Sequence, residues 1–204
     1  MASIYDLKPK FQALLRPLCR WIASAGGTAN QVTILALLLS LAFGSEILAT
    51  DGSRLLLLAL PLVLFVRMAL NAIDGMLARE FSQQSKLGAI LNEVSDLASD
   101  AALYLPFALF FDGPGAALLI GAVVMGLIAE ATGMVAVQIG ASRRYDGPFG
   151  KSDRAFFFGV LALLLGLGAA PGVWTSVILG FAVLAGGLTV FNRARAALLE
   201  ARDA

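Results

Sequence analysis

Polar and helix-breaking residues cut this chain into six long apolar stretches, and the charged positions gather at the cuts. A hydrocarbon core of about 30 Å takes roughly 20 helical residues. That length places spans at about 28–49, 54–80, 86–111, 114–141, 152–169 and 171–193. Asp112-Gly113-Pro114-Gly115, Asp146-Gly147-Pro148 and Pro171-Gly172 punctuate the pattern, because Pro and Gly interrupt helical hydrogen bonding. Residues 2–22 follow another rhythm. Leu7, Phe11, Leu14, Leu15, Leu18 and Ile22 recur at helical spacing, while Lys8, Lys10, Arg16 and Arg20 take other faces. This predicts an amphipathic helix lying on a membrane surface. The segment lacks the uninterrupted apolar stretch and small-residue cleavage site of a signal peptide. The expected organisation is all-α: an interfacial helix over 1–27, then six transmembrane helices in one domain over 28–204.

Composition strengthens this reading. Hydrophobic residues make up 59% of the 204 positions and charged residues only 14%, and the mean hydropathy is +0.84. A soluble domain carries about 25% charged residues. Lys and Arg are lopsided: thirteen of the fifteen flank one side of the spans, Arg54 flanks the other, and Arg67 lies inside a span. The positive-inside rule then puts both termini in the cytoplasm, as an even number of spans requires. A net charge of +1 gives no footprint for nucleic acid.

The chain has no histidine and a single cysteine, Cys19. This excludes an intrachain disulfide, a Cys/His zinc site and a Ser-His-Asp triad. Acid–base chemistry must use carboxylates, and a metal would have to be held by oxygen. Cys19 reads as an ordinary apolar residue of the interfacial helix.

Against that background, the polar residues inside the spans stand out, since each is costly there and marks function by default. The second span ends Asn71-Ala72-Ile73-Asp74-Gly75-Met76-Leu77-Ala78-Arg79. The third begins Gly88-Ala89-Ile90-Leu91-Asn92-Glu93-Val94-Ser95-Asp96-Leu97-Ala98-Ser99-Asp100. Asn71 and Asp74 share one face at i,i+3, and Asn92, Asp96 and Asp100 form a stripe at i,i+4,i+8. The short connector makes the two helices antiparallel neighbours. Asp74 then lies about 9 Å inside the cytoplasmic end of its span, with Asn92 and Asp96 about 9 and 15 Å inside theirs. Carboxylates gathered at one depth need protons, a basic partner or a cation. A hard divalent ion, Mg²⁺ or Mn²⁺, matches such oxygen ligands. Gly75, Ala78 and Gly88 leave room for a ligand beside helix backbone, and Arg79 offers a charge suited to phosphate. Together they point to a metal-bridged pyrophosphate. Glu46, and Glu130 taken alone, carry no such case.

At these residues the sequence resembles the CDP-alcohol phosphotransferase family of membrane enzymes. The family pattern is Asp-x2-Asp-Gly-x2-Ala-Arg-x8-Gly-x3-Asp-x3-Asp. Here it reads Asn71-x2-Asp74-Gly75-x2-Ala78-Arg79-x8-Gly88-x3-Asn92-x3-Asp96, with every spacing kept and two aspartates replaced by asparagine. Thr28-Ala29-Asn30-Gln31-Val32-Thr33 also looks like the family's Pro-Asn-x-Val/Leu-Thr lead into its first span. The resemblance implies transfer of a substituted phosphate from a CDP-alcohol, usually CDP-diacylglycerol, to an alcohol hydroxyl, with release of CMP. It also implies a homodimer in the bacterial inner membrane, with the active site on the cytoplasmic side. Asp74 would bind metal and Asp96 would be metal ligand or general base. Asn71 and Asn92 would be weakened ligands, since an amide oxygen ligates without charge. Glu93 and Asp100 are candidates to compensate. Gly75, Ala78, Arg79 and Gly88 would line the cytidine and pyrophosphate site. The basic connector from Arg143 to Arg154 reads either as a topology signal or as an acceptor site, with Lys151 and Arg154 holding the phosphate of an acceptor such as glycerol 3-phosphate.

Two rival functions are an ion-coupled transporter and a noncatalytic membrane subunit. A transporter site sits near the midplane in repeated halves, whereas this cluster is near one face and occurs once. The subunit reading rests on the two asparagines and on Gly121-x4-Gly126 and Gly180-x5-Gly186, spacings compatible with close helix packing. One further pairing is expected from depth alone. Arg67 and Asp100 both lie about 20 Å inside adjacent helices, so each would neutralise the other, with Glu130 as an alternative partner.

Overall fold

The computed structural model describes residues 4–203, with side chains from Pro9 to Arg202. The side chains of Leu7 and Lys8, part of the amphipathic pattern, lie outside the described residues. Seven α-helices run in order: α1 Ile4–Ser24, α2 Ala29–Ala49, α3 Arg54–Glu80, α4 Lys86–Tyr104, α5 Pro114–Val135, α6 Lys151–Gly166 and α7 Val173–Asp203. Turns of 3₁₀ helix extend α4 over Leu105–Phe110 and α5 over Ala136–Ile139.

The chain is a membrane protein whose described residues form no strand, and among them four helices are long and apolar enough to cross a bilayer: α2, α3, α5 with its extension, and α7. Two of the six expected spans, α4 and α6, do not meet that criterion. Asn92, Glu93, Asp96 and Asp100 lower the hydropathy of α4, and α6 has only 16 residues. The expected third span, 86–111, changes from α to 3₁₀ at Leu105, next to Pro106, which has no N–H to continue the ladder. The fourth closes at Gly140, whose φ of 85° suits glycine. Helix α7 runs ten residues past the expected end at 193, and Arg193 is buried within it.

The residues divide into two compact units. The first comprises 1–42 and 62–99, the second 43–61 and 100–204. In the first unit, α1 presents Leu15, Cys19, Ile22 and Ala23 to Ile73, Met76, Leu77, Ala78 and Phe81 of α3 and its connector. Cys19 is fully buried with its Sγ 3.9 Å from the Met76 sulfur, and burial pushes its thiol pKa up. It is an inert packing residue. Leu14, Leu18 and Trp21 remain exposed on another side of α1. A two-pronged ion pair, Arg16 Nε and Nη2 to Glu80 at 3.0 and 2.9 Å, fastens α1 to the last residue of α3.

In the second unit, α5 packs along α7 through small residues. Ala122, Ala182 and Ala185 form a core with Phe149. A Cβ on Gly186 would come 2.7 Å from Met125, so the helices approach as closely as glycine permits. Gly121, Gly126 and Gly186 of the two predicted spacings therefore serve contacts inside the chain, while Gly180 faces open space.

Candidate functional site

All eight fixed positions of the pattern lie in the first unit, on α3 and α4. Asp74, one turn beyond Asn71, is 5% exposed. Its Oδ2 accepts a hydrogen bond from the Thr33 hydroxyl of α2 at 2.8 Å. Across the helix pair, Asn71 Nδ2 donates to Asp96 Oδ1 at 3.2 Å. Arg67, one turn earlier on α3, places Nη2 3.6 Å from the same Asp96 oxygen and donates to the Asp96 carbonyl at 3.2 Å. So α3 supplies an arginine, an amide and a carboxylate on one face, and α4 supplies a carboxylate opposite. Asn92 lies one turn before Asp96 and is half-buried.

The small residues of the pattern meet other parts of the same unit. A Cβ on Gly75 would lie 2.9 Å from Nη2 of Arg79, so that guanidinium folds back over the glycine. A Cβ on Gly88 would lie 2.7 Å from Oδ1 of Asn30, which brings the first turn of α2 against the start of α4. Ala78 packs at the edge of the α1 core. Gln83, in the α3–α4 connector, grips the segment leading into α2: Oε1 accepts from the Ala29 amide at 2.7 Å, and Nε2 donates to the Gly27 carbonyl at 3.2 Å.

Among the described residues, no three acidic, histidine or cysteine side chains cluster tightly enough to hold a metal unaided. The donor set nevertheless fits a hard divalent ion. Such an ion is commonly held by one or two carboxylates, with waters and substrate phosphates completing its shell, and Asp74 and Asp96 supply two, with Asn71 and Asn92 as neutral oxygen donors.

A second charged cluster belongs to the second unit. Arg154 of α6 is 1% exposed. Its Nε and Nη2 donate to Asp100 Oδ2 at 3.1 and 2.7 Å, and Nη2 also reaches Glu130 Oε1 at 3.2 Å. Arg193 Nη1 lies 3.3 Å from Glu130 Oε2, and Arg143 Nη2 lies 3.5 Å from it. Gly126 makes the room, since a Cβ there would meet the Arg154 side chain at 2.5 Å. Arg154 thus holds Asp100 within the second unit, and Arg67 meets Asp96 within the first. Lys151 is half-buried at the first position of α6.

Sequence reasoning did not find the Thr33–Asp74 bond, the Gln83 clamp or the Arg16–Glu80 pair. Thr33 carried a signal only as part of the stretch before the first span. Gln83 and Glu80 look like ordinary solvated connector residues.

The family model for CDP-alcohol phosphatidyltransferase matches residues 27–192. The chain belongs to that family. It is accordingly a phosphotransferase of phospholipid synthesis. The chain is 46% identical to the inner membrane protein YnbA of Escherichia coli, over 98% of this chain and 99% of that protein. It is 30% identical to the phosphatidylinositol phosphate synthase of Cutibacterium acnes over 60% of this chain and 64% of that one. Its fold is similar to that of the Mycobacterium tuberculosis phosphatidylinositol phosphate synthase, solved with CDP-DAG bound. The TM-score is 0.74 at 22% identity, covering 89% of this chain and 92% of that one. The same synthase has been solved with manganese and citrate.

Proposed function

We propose that this enzyme transfers a phosphatidyl group from CDP-diacylglycerol to the hydroxyl of a phosphorylated alcohol, such as glycerol 3-phosphate, and releases CMP. The observation that carries the reading is the meeting of α3 and α4 through Asn71 and Asp96, with Asp74 on the same face as Asn71. In the reaction the acceptor oxygen attacks the phosphorus that bears the diacylglycerol. The bond from that phosphorus to the CMP oxygen breaks, and CMP leaves with the electron pair. Asp96 takes the hydroxyl proton as general base. Asp74 and Asp96, with Asn71 and Asn92, would hold Mg²⁺ or Mn²⁺, which would supply positive charge to the pyrophosphate. Arg79, whose guanidinium lies over Gly75, binds a phosphate oxygen, and Gly75, Ala78 and Gly88 line the cytidine and pyrophosphate site. Excluding bulk water from this half-buried site favours transfer to the alcohol over hydrolysis.

Lys151, half-buried at the first position of α6, holds the acceptor's phosphate, whereas Arg154, expected beside it, is 1% exposed and bound to Asp100, Glu130 and the Phe149 carbonyl. The CDP-DAG complex and the inositol phosphate synthases among similar proteins agree with both substrates. The enzyme is a homodimer of the bacterial inner membrane, with α1 at the interface, α4 and α6 as its remaining spans, and termini and active site on the cytoplasmic side. The exposed α7 face of Val177, Phe181, Leu184 and Leu188 is available to lipid or a second copy.

The test is release of CMP by purified protein from CDP-diacylglycerol with Mg²⁺ or Mn²⁺, against glycerol 3-phosphate, inositol phosphate, inositol and serine. Turnover is expected with a phosphorylated acceptor. Turnover only with unphosphorylated alcohols would overturn the acceptor assignment.

A further inference from the structure

We propose that Thr33 is a positioning residue, whose hydroxyl sets the orientation in which Asp74 presents its carboxylate to the divalent ion. Thr33 lies outside the α3–α4 pattern. Its side chain is 6% exposed and Asp74 is 5% exposed, so water does not mask the contact between them. The hydroxyl has one proton and two acceptors in reach, Asp74 Oδ2 at 2.8 Å and the Ala29 carbonyl at 3.1 Å. The shorter contact, to an anionic acceptor, is the stronger.

The oxygen that makes this bond is itself well fixed. Threonine in a helix is restricted at χ1, and its Oγ1 settles where it can also meet the carbonyl four residues back. The hydroxyl can therefore change acceptor by turning its proton, without moving the oxygen. Helix α2 is anchored at the same turn by Gln83, which holds the Ala29 amide and the Gly27 carbonyl. The order of dependence runs from the connector residue Gln83, through the first turn of α2, to Thr33 and then to Asp74. One lone pair of Oδ2 is occupied by Thr33, which restrains rotation of the carboxylate about its bond to Cβ. Partners of this kind, which orient a ligand without touching the ion, commonly change metal affinity by about 10- to 100-fold.

The inference rests on Asp74 being a metal ligand, so the experiment includes Asp74→Asn as a reference. Mn²⁺ alone is titrated into full-length protein in detergent, with free Mn²⁺ followed by its electron paramagnetic resonance signal and helicity by circular dichroism. Thr33→Val should raise the Mn²⁺ dissociation constant about 10-fold or more, Thr33→Ser should stay within about 2-fold of the parent, and Gln83→Leu should fall between them. The Mn²⁺ concentration for half-maximal CMP release should move in parallel, with the acceptor KM unchanged. Parent-like Mn²⁺ affinity in folded Thr33→Val, or a Thr33→Ser loss as large as that of valine, overturns the role of Thr33. Should Thr33→Val not fold, the serine and Gln83→Leu titrations decide alone, and parent-like affinity in Gln83→Leu counts against the proposal. If Asp74→Asn binds Mn²⁺ like the parent, Asp74 is not a ligand and both readings fall. If it loses binding while Thr33→Val keeps it, only the Thr33 proposal does.

Discussion

Arg154 grips Asp100 with two of its nitrogens, at 3.1 and 2.7 Å, and the two side chains are among the most buried charges in the chain. Taking two ions out of water is costly, and removing one partner leaves the other uncompensated, a loss of about 3–5 kcal/mol. Arg154→Leu should therefore lower the melting temperature strongly. Adding Asp100→Leu should recover part of that loss, with Glu130 still supported by Arg193 and Arg143. Thermal unfolding in detergent checks this, and double-mutant losses equal to the sum of the two singles would contradict it.

Lys151, one turn earlier on α6, offers the complementary measurement. Lys151→Ala should raise the KM for a phosphorylated acceptor several-fold, with little change in melting temperature or in the KM for CDP-diacylglycerol. An exposed or half-exposed surface charge contributes only about 0–1 kcal/mol to stability, so the kinetic effect can be read free of unfolding. Equal effects on both substrates would return this residue to a topology signal.

Asp74→Asn and Asp96→Asn should each reduce CMP release by at least about 100-fold, the lower end of what a general base contributes. Both variants remain isosteric, and the Asn71 contact to position 96 has an oxygen acceptor in either case. Near-parental turnover by either folded protein would remove it from the catalytic assignment.

Asn71→Asp tests the replaced ligand. In the parent, the amide donates to Asp96; an aspartate would instead set two carboxylates against each other. Without metal the variant should melt lower than the parent. With Mn²⁺ it should gain more, since the added charge strengthens a hard-ion site. The observable is the metal-induced shift in melting temperature, expected to be larger for Asn71→Asp, and for Asn92→Asp, than for the parent.

The Arg16–Glu80 pair makes attachment of α1 dependent on acidity. Hydrogen bonding and attraction from Arg16 hold the Glu80 carboxyl below the ordinary glutamate range. A carboxyl depressed in the folded state stabilises fully above its unfolded value and loses that contribution as pH falls through the folded one. Trp21 fluorescence in a Trp174→Phe background should thus stay constant through neutral pH and change only as the solution becomes more acidic than the usual glutamate range. Glu80→Gln should remove that transition. A transition that persists in Glu80→Gln would assign it to other carboxylates, Asp146 and Glu200 among them, which are also depressed by Arg144 and by Ser142 respectively.

The helical class, the order of elements and the polar faces of α3 and α4 were legible because each rests on local periodicity. Apolar runs reveal long helices, and i,i+3 and i,i+4 spacing puts Asn71 with Asp74 and Asn92 with Asp96 whatever the tertiary arrangement. Partner choice is a different kind of information. The contacts of Arg67 with Asp96 and of Asp100 with Arg154 were not read from the spacing. The rotation of each helix about its axis decides between such neighbours, and a stripe of spacings leaves it undetermined by tens of degrees. Four of the six expected spans meet the criterion of length and hydropathy; a helix such as α4, loaded with polar residues, loses the hydropathy by which spans are recognised.

Asp100 and its arginine are 54 residues apart in the chain. During synthesis at about 5–20 residues per second, α4 leaves the ribosome roughly 3–11 seconds before α6 can supply the opposite charge. For that interval the acid lacks this arginine, and the helix that carries half of the catalytic pattern is not yet tied to α6. The maturation of the reaction centre is therefore timed by a later, short helix, and a nascent chain halted before residue 154 should be one that quality-control proteases recognise and clear.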